Sequence, residues 1–404
     1  MHFPLPANTF PPLLVSEEDQ LELKKLSTVF IDEALEQYAH FRDVDGGVLD
    51  EAHWKVVKSR EGVTSYQDRR VVGLDASRAA VKQKVGSGAM TASTKLHGVL
   101  AVGAIEGEFN DMIFGLLHPS TEMLKIKSAY TEDKIADAKV LAAIEEPTVA
   151  DPVRGLYIKW SVSEFAPFLL RKVVRPRDFV YMEAIGIHVT ESGERIGYNL
   201  LHSLQIPSIR ELPDHQIVRG NFSICALFRQ KSPGLIELYM KGFVDSMGEI
   251  HHSVAVPATA EALMSYRKAV YCGQMKKLNW LVKTKKTVIL DHHNSGCVVC
   301  TKPVGRRAKC CQVCMNKMCT SCSVSRKLSF LSPVSRRVSQ RHMDFCVRCL
   351  LAAANADALE IASEEMVRQN PFDVYELSSS STSSSMPASP SDSILPDITR
   401  EFFG

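Results

Sequence analysis

Four pairs of cysteines late in the chain carry the most specific chemistry: Cys297/Cys300, Cys311/Cys314, Cys319/Cys322 and Cys346/Cys349 all have the C-x2-C interval. Two thiolates at that interval sit on one tight knuckle and bind one tetrahedral zinc, so four pairs supply the eight ligands of two all-cysteine sites and predict two Zn2+ as cofactors. Nine of the eleven cysteines fall between Cys297 and Cys349. The first residues (Met1, His2, Phe3, Pro4) lack the basic start and apolar core of a secretory signal, so this crowding is expected in a reducing compartment, where it means metal rather than disulfides. Cys310 is a spare thiol able to stand in for Cys311, although the spacing of the other pairs favours Cys311.

The same stretch is basic. Residues 291–350 hold eleven Lys and Arg against two acids, a net of +9, whereas residues 351–404 carry −7 and the first 290 residues are balanced. A positive field attracts phosphate, on lipid headgroups or on nucleic acid. Arg306, Arg307 and Lys309 flank the second cysteine pair, with Arg336, Arg337 and Arg341 beyond. Each is worth about 1 kcal/mol near an anionic bilayer, the alternative being that they merely solvate a small metal-held module. Val304, at the tip of the short loop between the first two pairs, is the candidate membrane-inserting side chain, worth roughly 1.5–3 kcal/mol.

Catalytic patterns are missing. There is no G-x-S-x-G elbow, P-loop or H-E-x-x-H, and Gly86-Ser87-Gly88 lies in a loop without the flanking strand and helix of a dinucleotide site. The adjacent pairs His251-His252 and His292-His293 point apart on a strand and chelate poorly. No window reaches the 18 consecutive apolar residues of a membrane span. The chain reads as a cytoplasmic binding protein and not an enzyme, with no catalytic residue assigned.

A larger folded unit, residues 16–286, precedes the cysteines and must position whatever it binds. Ser16 followed by Glu17, Glu18 and Asp19 starts a helix to Phe41. Alternating runs near 54–58, 63–69 and 95–105 read as strands, 109–117 and 121–144 as helices. Strands at 156–162, 178–189, 195–205, 216–229 and 234–244, joined by short turns, predict an antiparallel sheet; a long helix over 258–283 then closes it, and a sheet closed by a helix makes a cavity. Glu183 shares a strand face with Phe179 and Tyr181, so Arg195 or Arg219 on later strands is expected to meet it and orient a lipid hydroxyl or headgroup; the alternative is a structural salt bridge at the sheet rim. His202 lies on one face with Tyr198, Leu200 and Leu204, as a further cavity contact or a satisfied core residue.

Two family resemblances attach to these residues. The interval C311-x2-C314-x4-C319-x2-C322 resembles a FYVE finger; a RING finger usually has His at the fourth ligand and a shorter gap before the fifth. The FYVE resemblance implies a cross-brace, with Cys297, Cys300, Cys319 and Cys322 on one metal and Cys311, Cys314, Cys346 and Cys349 on the other. It also implies binding of phosphatidylinositol 3-phosphate on endosomal membranes, through the stretch Arg306 to Met315 that stands in place of the family's R-R/K-H-H-C-R-x-C-G. Here both histidines are replaced and Met315 stands for the final Gly. The order of elements, with LYIKW at 156–160, RPRDFVYME at 175–183 and RIGYNLLHS at 195–203, resembles a START domain. That implies a helix-grip α+β fold holding one lipid under the last helix.

The expected organisation is therefore an extension at 1–15, a START-like domain at 16–286, a FYVE-like finger at 291–350, an acidic helix at 351–369 and a disordered Ser/Pro-rich tail at 370–404. Expected partners are a lipid and an anionic endomembrane surface, with an EH-domain protein through Asn370-Pro371-Phe372 and no nucleic acid. The alternative function is a protein-interaction scaffold or RING-like ubiquitin-ligase module without a lipid.

Overall fold

The computed structural model describes residues 3–69, 97–163, 175–245, 252–284, 296–305 and 307–369. Helix α1 (Glu17–Asp43) starts where its acidic first turn suits the dipole, and the Ser16 side chain accepts from the Asp19 N–H at 3.1 Å. Next come β1 (Trp54–Arg60), β2 (Val63–Asp68), β3 (His97–Glu106), α2 (Phe109–Leu116), α3 (Thr121–Thr131), β4 (Ile135–Glu145), β5 (Gly155–Ser163), β6 (Arg177–Val189), β7 (Arg195–Ser203), β8 (Val218–Arg219), β9 (Asn221–Ser232) and β10 (Leu235–Asp245). They build one sheet in the order β1-β2-β3-β10-β9-β7-β6-β5-β4, antiparallel throughout, with β8 added parallel to β6. Helices α4 (His252–Met264) and α5 (Ala269–Thr284) follow.

Strand alternation divides the core in two. On β6, Val180, Met182 and Ala184 pack with Leu23, Ile31 and Tyr38 of α1. Ile185 faces the opposite way and packs with Met112 of α2, Leu263 of α4 and Val270 of α5. The α+β, helix-grip arrangement expected from the sequence is present: one antiparallel sheet, α1 on one face, and the closing helices on the other.

Four elements depart from expectation. The helix expected over 121–144 stops at Thr131; Glu132 and Lys134 take left-handed conformations with φ of 55° and 62°, and 135–145 becomes strand β4, paired along β5. Its Ala-rich sequence favours helix, but the ladder to β5 overrides that weak preference. The closing helix is two segments divided by a 3-10 turn at Ser265–Lys268, and the strand expected over 216–229 is split, with β8 on β6 and β9 on β7. The acidic helix is likewise two, α6 (Val347–Asn355) and α7 (Ala358–Gln369), because Asp357 turns the chain by accepting from the Leu359 N–H at 2.7 Å.

The cysteine-rich module between α5 and α6 consists of β11 (Lys309–Cys310) with β12 (Lys317–Met318), and of the ribbon β13 (Ser323–Leu331) with β14 (Val338–Cys346). No helix among the described residues is long and apolar enough to cross a membrane.

Candidate functional site

The cysteines assemble into two interleaved groups, Cys297, Cys300, Cys319 and Cys322 in one and Cys311, Cys314, Cys346 and Cys349 in the other. This is the grouping the FYVE resemblance implies. Local turns shape each knuckle: the Thr301 N–H donates to Cys297 O at 2.9 Å and the Met315 N–H to Cys311 O at 2.8 Å, with Thr301 and Met315 both left-handed at φ 60°. Long-range pairing then joins them. Ser323 lies opposite Cys346 across the ribbon, which sets the end of the third pair beside the start of the fourth.

The donor sets fit tetrahedral zinc. Four thiolates at about 2.3 Å from a common centre lie about 3.8 Å apart, and here Cys300 Sγ to Cys319 Sγ is 3.7 Å, Cys314 Sγ to Cys346 Sγ is 4.0 Å, and all donors within a group lie within 4.8 Å of one another. Disulfides need sulfurs at about 2 Å. Backbone N–H groups of Val299 and Cys349 approach Cys297 Sγ and Cys346 Sγ at 3.5 and 3.4 Å, as donors to thiolate charge do. As thiols the second group shares protons unequally, the hydrogen bond between Cys349 and Cys311 drawing Cys311 down to about 4 and pushing Cys349 up. A dication would take all four as thiolates. Cys311 is fully buried in its group, whereas Cys310 is half-buried and belongs to neither group.

The basic residues are less uniform. Arg306 lies outside the described residues; Arg307 is exposed; Lys309 pairs with Asp344 at 3.0 Å. Val304 is half-buried against the module's own core and so does not project. Arg336 and Arg337 donate to the backbone oxygens of Leu5 and Phe3 at 2.6 and 2.9 Å, tying the β13–β14 turn to the N-terminal segment. Val334 at that turn is 94% exposed.

A second site lies inside the large domain, on the sheet face under α2, α4 and α5. Lys159 and Glu183 are both 1% exposed and form an ion pair there. Lys159 also donates to His118 O at 2.9 Å, Asn199 Nδ2 donates to Glu183 Oε1 at 2.9 Å, and Tyr266 Oη donates to Asn199 Oδ1 at 2.5 Å. His118 Nε2 stands 3.4 Å from Glu183 Oε2. Burial raises the Glu183 carboxyl, but the facing His118 and Lys159 overcome it and hold it at about 2. Burial keeps His118 itself down at about 3 and also lowers Lys159 against the pull of Glu183, and it is the Lys159 ammonium that stands in direct contact with the carboxylate. The Tyr157 hydroxyl, fully buried and of the same strand parity as Lys159, has no hydrogen-bond partner among the described residues.

Of the four residues expected to line the interior, only Glu183 does so. Arg219 pairs with Asp178 through two bonds at 3.0 and 2.9 Å, on the α1 side where Trp160 Nε1 also donates to Asp178 at 2.8 Å. Arg195 lies over the Phe109 ring at 4.5 Å and donates to Asn110 at 3.0 Å, at the rim of a cleft of about 700 Å3 between α2, the β6–β7 turn and the α6–α7 junction. His202 stacks on Phe30 of α1 and bonds Ser223 Oγ at 2.9 Å. Parity explains Arg219 and His202, since Asp178 and His202 alternate onto the α1 face, whereas Arg195 has the parity of Asn199 but stands at the first residue of β7, beyond the interior. Lys159 in LYIKW alternates with Trp160 and so has the parity of Tyr157, which the sequence shows, but that it lies one strand from Glu183 comes from the ladder.

No family model matches the chain, and no curated protein matches it. Solved structures similar to it include human StAR-related lipid transfer protein 5, at 15% identity over 62% of this chain and 98% of that one with a TM-score of 0.42. Human STARD10 is similar at 15% identity over 60% and 82% with a TM-score of 0.38. A STAR-related lipid transfer protein fragment from Xanthomonas axonopodis matches at 13% identity over 54% and 99%, with a TM-score of 0.34. The architecture rests on the strand order and register described above.

Proposed function

We propose that this chain is a non-enzymatic lipid-binding adaptor of the cytoplasm. Its START-like interior takes one lipid by a polar end, and its zinc-held basic module docks on anionic, phosphoinositide-bearing endomembranes. The observation that carries the reading is the buried Lys159–Glu183 pair and its polar neighbours His118, Asn199 and Tyr266, with the unpartnered Tyr157 hydroxyl on the same face, set against a core of apolar side chains. Buried ionic groups are costly where apolar packing would serve, and a buried hydroxyl without a partner costs about 1–3 kcal/mol until something bonds it. A lipid hydroxyl or headgroup supplies that partner while its chain suits the apolar surround. Zinc holds the module's knuckles; exposed Arg307 and Arg341, with Val334 at the hairpin turn, offer charge and an apolar tip to a bilayer.

Native mass spectrometry of the full chain purified from cells tests the interior: one copurifying or exchangeable lipid per chain is expected, and none overturns lipid binding in favour of a protein-interaction scaffold. Flotation with vesicles containing phosphatidylinositol 3-phosphate tests docking. The variant R306E/R307E/K309E should bind at least about a hundredfold more weakly at low salt, from about 1 kcal/mol per charge removed. Binding equal to that of the unaltered chain removes the membrane role. The EH-domain motif Asn370-Pro371-Phe372 lies outside the described residues and stays a proposal.

A further inference from the structure

The cysteine-rich module shares its core with the large domain. Its buried side chains Met318, Leu328 and Phe345 pack, together with Cys297, Cys311 and Cys346, against Tyr130 of α3 and against Cys272, Met275 and Leu278 of α5. Helix α5 is therefore shared. Its Ala269, Val270 and Trp280 belong instead to the core over the sheet interior, which also holds Tyr266, the hydroxyl that closes the Glu183 network through Asn199.

Polar bonds reinforce both sides of the helix. On the module side, the buried Ser329 N–H donates to Tyr130 Oη at 2.7 Å, and Gln340 Nε2 donates to Ala129 O at 3.0 Å. Lys277 of α5 spends its ammonium on Asp111 of α2 at 2.6 Å and on Ala354 O and Ala356 O at the end of α6, at 2.9 and 3.0 Å. These carbonyls are ones a helix end leaves unpaired, and a cation there also suits the dipole. On the interior side, Lys276 donates to Phe114 O and Leu117 O at 2.6 and 3.0 Å, and α5 crosses α2 at glycines: a Cβ on Gly115 would meet Ala269 O at 1.9 Å, and one on Gly273 would meet Asp111 O at 1.9 Å. Backbones that close hold α5 in one position, so a change on its module face is felt on its interior face.

We infer that the metal-held module is a splint for α5, so that occupancy of the cysteine groups sets how firmly this helix closes the sheet interior. The inference rests on the zinc reading above and goes beyond it by linking the metal to the lipid site. With metal bound, the knuckles present Leu328, Phe345 and Met318 as one rigid apolar surface. Without it, nothing joins the four sulfurs of a group and the surface loses the tie that fixes it. Helix α5 then keeps only its interior contacts, and local opening of such a segment is governed by the packing it retains.

Hydrogen–deuterium exchange on the full chain tests this, with zinc measured by elemental analysis on the same samples before and after a strong chelator and after zinc is returned. Exchange of residues 269–284 should rise at least about tenfold on metal loss and fall back on zinc return, while α1 on the far side of the sheet changes less than about twofold. The variant Y130F, which removes the hydroxyl accepting from Ser329 and leaves every cysteine in place, should retain zinc yet exchange faster in α5 by a few-fold. Metal removal with unchanged exchange in α5 overturns the splint and leaves the zinc reading standing. Equal acceleration in α1 and α5 also overturns it, as general unfolding. A purified chain with no zinc overturns both, and the elemental analysis shows which failure occurred.

Discussion

Replacing Lys159 with Met would leave Glu183 buried with the Asn199 amide as its remaining donor and no countercharge at neutral pH. Removing one partner of a buried pair typically costs about 3–5 kcal/mol, because the remaining charge keeps its desolvation penalty and loses its attraction. The bond from Lys159 to His118 O is lost as well. The pH dependence should reverse. In the native chain Glu183 is held at about 2, below its unfolded value of 4.5, so the pair's stabilisation is present above pH 4.5 and is lost as pH falls toward 2. In K159M the carboxyl's folded pKa should rise above 4.5, making the variant relatively more stable in acid and less so as pH climbs through that raised value. The double variant K159M/E183Q removes the charge and should recover most of the loss, to within about 1–2 kcal/mol of the parent. Urea unfolding followed by tryptophan fluorescence, at pH 5 and pH 7, reads all three chains. A K159M cost below about 1 kcal/mol, or a double variant no more stable than K159M alone, would refute the account of the interior.

Acid should weaken the fold through its buried histidines. Burial holds His118 at about 3 and His202 at about 4 against an ordinary 6.5, so the unfolded chain takes up protons first and stability falls as pH drops from 6.5 toward 4, by up to about 1.4 kcal/mol per pH unit for each ring. H202Q should remove about half of that slope in urea midpoints between pH 7 and pH 5, and an unchanged slope counts against it. G273A should cost about 1–3 kcal/mol or more, because its Cβ would meet the Asp111 backbone oxygen at 1.9 Å; an unaltered melting temperature would show that α2 and α5 separate freely. M315G should stabilise the zinc-bound module by about 1 kcal/mol, since Met315 holds a left-handed φ of 60° that glycine adopts without strain; chelator titration followed by circular dichroism would show a destabilised module if the reasoning is wrong.

How much was legible follows from how local each feature is. Ser16 and three acids mark the start of α1 because capping involves only the next few residues. Strands β5, β6, β7 and β10 were readable because alternation is a property of consecutive residues. Segment 135–145 reads as helix in the sequence because its composition favours helix, and only the neighbouring β5 makes it a strand. The break between α6 and α7 is not legible in the sequence, because Asp357 resembles any acid in a charged helix and only the fold sets its carboxylate on the Leu359 N–H.

By itself, the order of residues determined the donor chemistry: four C-x2-C knuckles in a basic stretch after a long α+β unit. It also determined that Glu183 lies on the same strand face as Tyr181. Tertiary structure alone decided which cation reaches Glu183, since parity assigns a side chain to a face but says nothing of its neighbour across the ladder. It likewise decided that the small module finishes its core with Met275 and Leu278 of α5. A unit of that size buries too little apolar surface alone, and the surface it borrows lies far away in sequence, where no local pattern can announce it.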